Sequence, residues 1–157
     1  MELHPDVIAL APLLGTWAGV GRGVYPTIDG FDFADGWEFT TTGKPFVSFV
    51  QRTKTPDGLP LHTEAGYLRC PSPGVVEIVC ALPMGQTELG TGSVAIEGGT
   101  LTVRTDADVQ VTPSAKQVDR ITRRFVLTGE TLTYEMSMAA VGLPLTHHLS
   151  SELHRVP

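Results

Sequence analysis

The sequence predicts an all-β fold of about ten short antiparallel strands, stacked as a sandwich or closed as a barrel, behind one short N-terminal helix. Three observations predict it. Strand-forming runs recur along nearly the whole chain, turn chemistries separate them, and no helical pattern lies between them. Tight turns require antiparallel neighbours, because a parallel crossover needs about a dozen connecting residues. The 157 residues suit one domain.

Taken in order, Val7, Ile8, Leu10, Ala11 and Leu14 recur at helical spacing and predict a short helix packed as a lid ahead of Gly15. The strands expected after it run over 16–24, 36–42, 45–54, 62–69, 75–82, 86–96, 101–106, 117–127, 131–140 and 145–155. Pro56-Asp57-Gly58, Pro71 to Gly74, Glu97-Gly98-Gly99 and Thr128-Gly129-Glu130 supply the fixed or positive φ that hairpin turns require. Arg104 to Ala115 is the most polar irregular stretch, and with Pro113 it reads as an exposed loop. A barrel of this strand count would leave no exposed edge and could enclose a small ligand.

Composition excludes several functions. Hydrophobic residues are 41% and charged residues 18%, ordinary for a packed core. A net charge of −6, with the 11 Lys and Arg scattered, makes nucleic acid and anionic membranes poor partners. Glu2 and Asp6 precede the apolar run from Val7 to Leu14, which argues against a secretory signal, so a cytoplasmic location is expected. Cys70 and Cys80 are too few for a disulfide scaffold and are read as reduced. No Gly-x-Ser-x-Gly elbow, phosphate loop or His-Glu-x-x-His helix occurs, and the Cys-x-x-Cys-His site of covalent haem is missing. The histidines are His4, His62, His147, His148 and His154, of which the last three cluster.

The sharpest local pattern is Gly15-Thr16-Trp17-Ala18-Gly19-Val20-Gly21, followed by Tyr25-Pro26-Thr27. Alternate glycines let a strand bend or another group approach its backbone, and Trp17 offers an apolar plug for a barrel end. The segment resembles the Gly-x-Trp-x-Gly-x-Gly motif of nitrobindins. The likeness continues through Gly43-Lys44-Pro45-Phe46, through Pro60-Leu61-His62-x-Glu64-x-Gly66-Tyr67 and into the terminal His148-Leu149, in one register over nearly the whole chain.

The resemblance implies a ten-stranded antiparallel up-and-down β-barrel, similar to lipocalins and fatty-acid-binding proteins, with one non-covalent haem b near an open end. It also implies a ferric, solvent-accessible iron that binds nitric oxide and isomerises peroxynitrite to nitrate. Carried onto this sequence, His148 falls on the axial iron ligand and Thr27 on the threonine that borders the haem. Lys116 falls on a lysine placed to pair with a propionate, and His62 and Met138 fall on cavity positions. Leu61 and Leu82 stand where some relatives have Met and Gln, which makes the pocket more apolar and poor in donors to bound dioxygen, favouring ferric iron. The iron itself is the expected catalyst. A homodimer is compatible with a barrel wall, although no apolar stripe in the sequence calls for one.

One pattern opposes the assignment. Strict alternation over 146–155 sends Leu149, Ser151 and Leu153 inward and His148 outward. A bulge near His147 would reset that register, or the interior there would have to be partly polar. The competing functions are a carrier of a fatty acid or another apolar molecule in the same barrel, and a haem-based nitric-oxide sensor that acts through a partner.

Overall fold

A computed structural model describes residues 2–157. A 3₁₀ helix, Pro5–Leu13, precedes ten strands: β1 (Gly15–Tyr25), β2 (Ile28–Thr40), β3 (Val47–Lys54), β4 (Pro60–Ser72), β5 (Val75–Leu82), β6 (Gln86–Glu97), β7 (Thr100–Val111), β8 (Val118–Thr128), β9 (Thr131–Ala140) and β10 (Thr146–Arg155). Every sequential pair is antiparallel, and β10 pairs with β1 to close the barrel. Among the described residues no edge strand remains, so of the sandwich and the barrel that alternation and tight turns allowed, the chain forms the barrel.

The helix is present but its period differs from the expectation. Val7, Leu10 and Leu13 are fully buried, three residues apart, whereas Ile8 is 59% exposed. Three residues per turn is the 3₁₀ repeat, seen in the bonds from Val7 N to His4 O and from Leu14 N to Ala11 O. Pro5 opens the segment and Pro12, inside it, has no N–H for an α-helical bond. Tertiary packing sustains this unusually long 3₁₀ run. Trp17 is fully buried beneath it and donates its indole N–H to Leu13 O at 2.7 Å. Arg155 lies 4.3 Å over the Trp17 ring and donates to Leu14 O and Pro12 O, capping carbonyls that a helix end leaves free. This end of the barrel is plugged.

Strand existence follows the sequence, and two boundaries depart from it by five residues or more. β2 begins at Ile28 rather than Gly36, and β7 runs to Val111, so much of the expected loop from Arg104 to Ala115 is strand. In β7, Val103, Thr105, Ala107 and Val109 are buried while Arg104, Asp106 and Asp108 face solvent. Small inward residues beside outward charges disguised an ordinary alternation. Cys80 stands opposite Gly66 and Cys70 lies in the irregular step between Arg69 and Ser72, so the two thiols stay free. The outer wall does carry an apolar row that the sequence did not reveal. Tyr67, Val79 and Leu89 are exposed neighbours on β4, β5 and β6, joined only by folding.

Aromatic packing fills the plugged half, where Trp37 contacts the rings of Phe39, Phe49, Phe125 and Tyr134. Across the barrel's middle lies a polar layer. Arg123 donates to both oxygens of Glu88 and to Tyr134 Oη, and pairs with Glu64. Asp35 accepts from Gln51, Ser151 and Trp37. Burial pushes the carboxyls of Asp35 and Glu88 up toward their neutral forms. Burial also works against the charge on Glu64, but Arg123 and His62 outweigh it and hold that group at about 2. Arg123 forms its ion pairs in this dry layer with both Glu64 and Glu88, and of the two carboxyls Glu64 is the one whose charged form the layer favours.

Candidate functional site

At the end opposite the plug, a cavity of about 460 Å³ opens to solvent, within the usual size range for small-molecule pockets. Its wall is largely apolar. Phe31 and Phe33 of β2, Leu82, Met136, Met138 and Leu149 supply most of that character.

The glycines of β1 make this wall. A Cβ on Gly21 would stand 2.4 Å from Phe33 Cζ, and one on Gly23 would stand 2.2 Å from Phe31 Cζ. Alternate glycines therefore let two aromatic rings lie across the first strand. Phe31 and Phe33 were missed in the sequence because the strand was started too late. Their two-residue alternation, in phase with Asp35, Trp37 and Phe39, was the available signal.

His148 reaches the cavity through a bulge. On β9, Ser137 and Met136 are consecutive, yet they face His147 and Leu149 of β10, leaving His148 as the extra residue. The bulge resolves the conflict with alternation, since His148 and Leu149 can both line the cavity. Its Nδ1 lies 2.9 Å from Val24 O. A carbonyl only accepts, so Nδ1 carries the hydrogen and Nε2 keeps a lone pair. Burial lowers the His148 pKa, partly opposed by the Val24 carbonyl, and nearby Lys116 lowers it further, so the neutral ring is favoured.

Tyr25 holds the other side of that ring, edge-on, with centroids 5.4 Å apart. Its hydroxyl donates to Met138 O and accepts from Ala140 N, tying the end of β1 to β9. The sequence singled out the Tyr25-Pro26-Thr27 step for its threonine. In the structure Thr27 is exposed in the turn between β1 and β2 and is absent from the cavity wall, while Tyr25 supports the histidine.

Among the other expected site residues, His62, Leu61, Leu82, Met138 and Lys116 all line the cavity. Leu61 is half exposed at the mouth. Lys116 sits at the rim on a short loop after β7, which is anchored by Gln86 Nε2 donating to Lys116 O at 3.1 Å and by Thr112 N donating to Gly85 O. His62 Nε2 is 3.1 Å from Glu64 Oε2.

These features define a ligand-binding barrel whose pocket joins an apolar wall, imidazoles on two sides of the mouth and a cation at the rim. Residues 6–155 match the family described as THAP4-like, heme-binding beta-barrel domain. The chain belongs to that family, which bears out the relationship, barrel and haem cofactor expected from the motifs. It is 49% identical over 156 residues to a protein of Mycolicibacterium paratuberculosis named peroxynitrite isomerase 1, covering 98% of this chain and 97% of that protein. A Nocardia farcinica protein named peroxynitrite isomerase is 48% identical over 157 residues, covering 99% and 94%. The crystal structure of Rv2717c from M. tuberculosis superposes with a TM-score of 0.96 at 41% identity, covering 99% of this chain and 100% of that one.

The cavity suits a haem on its own evidence. A porphyrin needs apolar surface for its faces, a neutral nitrogen donor for iron and a cation for its propionates. Phe31, Phe33, Met136 and Met138 offer the first, His148 Nε2 the second and Lys116 the third.

Proposed function

We propose that this protein is a haem-dependent peroxynitrite isomerase that also binds nitric oxide, with His148 as the axial ligand of a non-covalent, solvent-accessible haem b. The observation that carries the reading is the bulge at His148, where Nδ1–H donates to Val24 O and Nε2 keeps its lone pair free for a metal. The names of the mycobacterial and nocardial relatives support the activity.

When bound, haem supplies the Lewis-acid and redox chemistry on the peroxynitrite oxygen–oxygen bond. The protein's part is to hold and confine. Val24 O and the Tyr25 ring fix the orientation of the His148 imidazole, and the hydrogen bond that Nδ1–H donates to Val24 O raises the basicity of Nε2. Lys116 is the candidate partner for a propionate. Phe31, Phe33, Leu82 and Met138 keep the pocket apolar, and the open mouth admits small ligands and releases nitrate.

The fatty-acid carrier reading is weakened by the interior. A carboxylate headgroup drawn into the barrel needs a cation, and the buried Arg123 is already engaged by Glu64, Glu88 and Tyr134.

Replacing His148 with Leu tests the proposal. Protein reconstituted with haemin should show a ferric Soret band and catalyse nitrate formation from peroxynitrite, and the variant should lose both while remaining folded by circular dichroism. A variant with unaltered spectrum and rate would remove His148 from the role.

A further inference from the structure

The wall facing His148 carries a second imidazole with one nitrogen to spare. Round the closed ring, β4 lies four strands from β10 in one direction and six in the other, so His62 and His148 stand on nearly opposite walls of the mouth. His62 Nε2 approaches Glu64 Oε2 at 3.1 Å. Glu64 is ionised, and a carboxylate only accepts hydrogen bonds, so Nε2 carries the hydrogen. Nδ1 then keeps its lone pair, and among the described residues it has no hydrogen-bond partner.

The His62 side chain is 34% exposed and that of Glu64 only 1%, so the ring spans from wet cavity to dry interior. Glu64 is itself pinned by Arg123, which is clamped by Glu88 and Tyr134. Among the described residues, the remaining charged or titratable groups of the cavity are Lys116 at the rim and His148 opposite. A histidine aimed by a fixed carboxylate, with its free nitrogen in a ligand cavity, has the parts of a general base.

We propose that His62 is the proton acceptor of this cavity for small weak acids HX that bind as their anions, and that Glu64 is the positioning residue that aims it. The inference rests on the haem reading above. As HX enters, its H–X bond breaks, the electron pair stays on X, and the proton passes to Nδ1. The resulting imidazolium donates one N–H to the anion and the other to Glu64. A ligand that leaves as HX takes the proton back. For peroxynitrous acid, nitrate departs as the anion and His62 passes the proton to water at the mouth.

The test uses haem-loaded wild type, His62→Leu and Glu64→Gln, with association rates measured by stopped flow at neutral pH. Cyanide enters as hydrogen cyanide and must lose a proton, whereas nitric oxide has none to lose. His62→Leu should slow cyanide by about 100-fold, the lower end for a positioned proton acceptor, and slow nitric oxide far less, since that ligand has no proton to lose. In ligand-free apoprotein, ¹⁵N NMR should find the Nε2–H tautomer at His62, and Glu64→Gln should lose that preference. His62 lies at the half-open mouth, so its variant carries the test should Glu64→Gln fail to fold. Unchanged cyanide association, equal slowing of both ligands, or an Nδ1–H tautomer in the wild type would overturn the inference and leave the haem reading intact. Failure of the wild type to take up haem overturns both.

Discussion

The plugged end and the open mouth of this barrel are built from the same ten strands and treat irregularity in opposite ways. At the plug, Trp17, Leu10 and Leu13 are fully buried, the indole N–H has its carbonyl, and Arg155 closes the helix end. At the mouth, a bulge turns His148 inward, glycines 21 and 23 admit two aromatic rings, and a loop suspends Lys116 at the rim. Departures from regular pairing there preserve space and an unused lone pair. The difference teaches that a closed barrel can place stability at one end and chemistry at the other, with a polar layer between them.

The largest effect expected from breaking this contrast is at the plug. Trp17→Ala removes a fully buried indole and the surface on which Arg155 rests, and should cost about 3–5 kcal/mol in urea unfolding. Haem affinity of the remaining folded protein should stay within about threefold. A comparable loss of haem affinity would mean the ends are coupled.

The polar layer gives a pH test. Glu64 is held at about 2, below its usual 4.5, so its ion-pair stabilisation is complete above pH 4.5 and is lost as pH falls toward 2. The shift corresponds to a contribution on the order of 3 kcal/mol. Glu88 is shifted upward by burial, so its contribution has the opposite sign, present at low pH and lost as pH rises. Urea midpoints of the wild type should therefore fall through the acid window below pH 4.5. Glu64→Gln should be less stable at neutral pH and have a flatter profile through that window. Parallel profiles would show that Glu64 does not set the acid response.

A smaller effect is expected at the mouth. Gly23→Ala places a methyl group against the Phe31 ring, which must move, at a cost of about 1–3 kcal/mol. Its sharper consequence is functional, since Phe31 lines the cavity and haem affinity should fall more than global stability predicts. Unchanged haem titration would show that the ring finds another place outside the pocket.

Much of this molecule was legible before folding. Turn residues separated the strands, and the glycine motif with its later islands located the barrel family and part of the cavity wall. Thr27 was expected at the haem border but lies in an exposed turn, while its neighbour Tyr25, whose hydroxyl ties β1 to β9, braces the His148 ring. Phe31 and Phe33 were hidden by a strand begun eight residues late, at Gly36 instead of Ile28. The helix was legible as a helix, but 3.6-residue spacing and three-residue spacing share enough positions that only packing against Trp17 separated Ile8 from Leu10.

By itself the sequence determined the alternation, the turns and the identities of the groups available for chemistry, because these depend on residues near one another in the chain. Tertiary structure decided which way His148 points, since a bulge is defined only by the count of residues on the partner strand. It also decided that Glu64, Glu88 and Arg123, far apart in sequence, share one dry layer, so that a single guanidinium fixes the carboxylate behind His62. Local patterns can specify faces and turns, but contacts between distant strands exist only once the barrel closes.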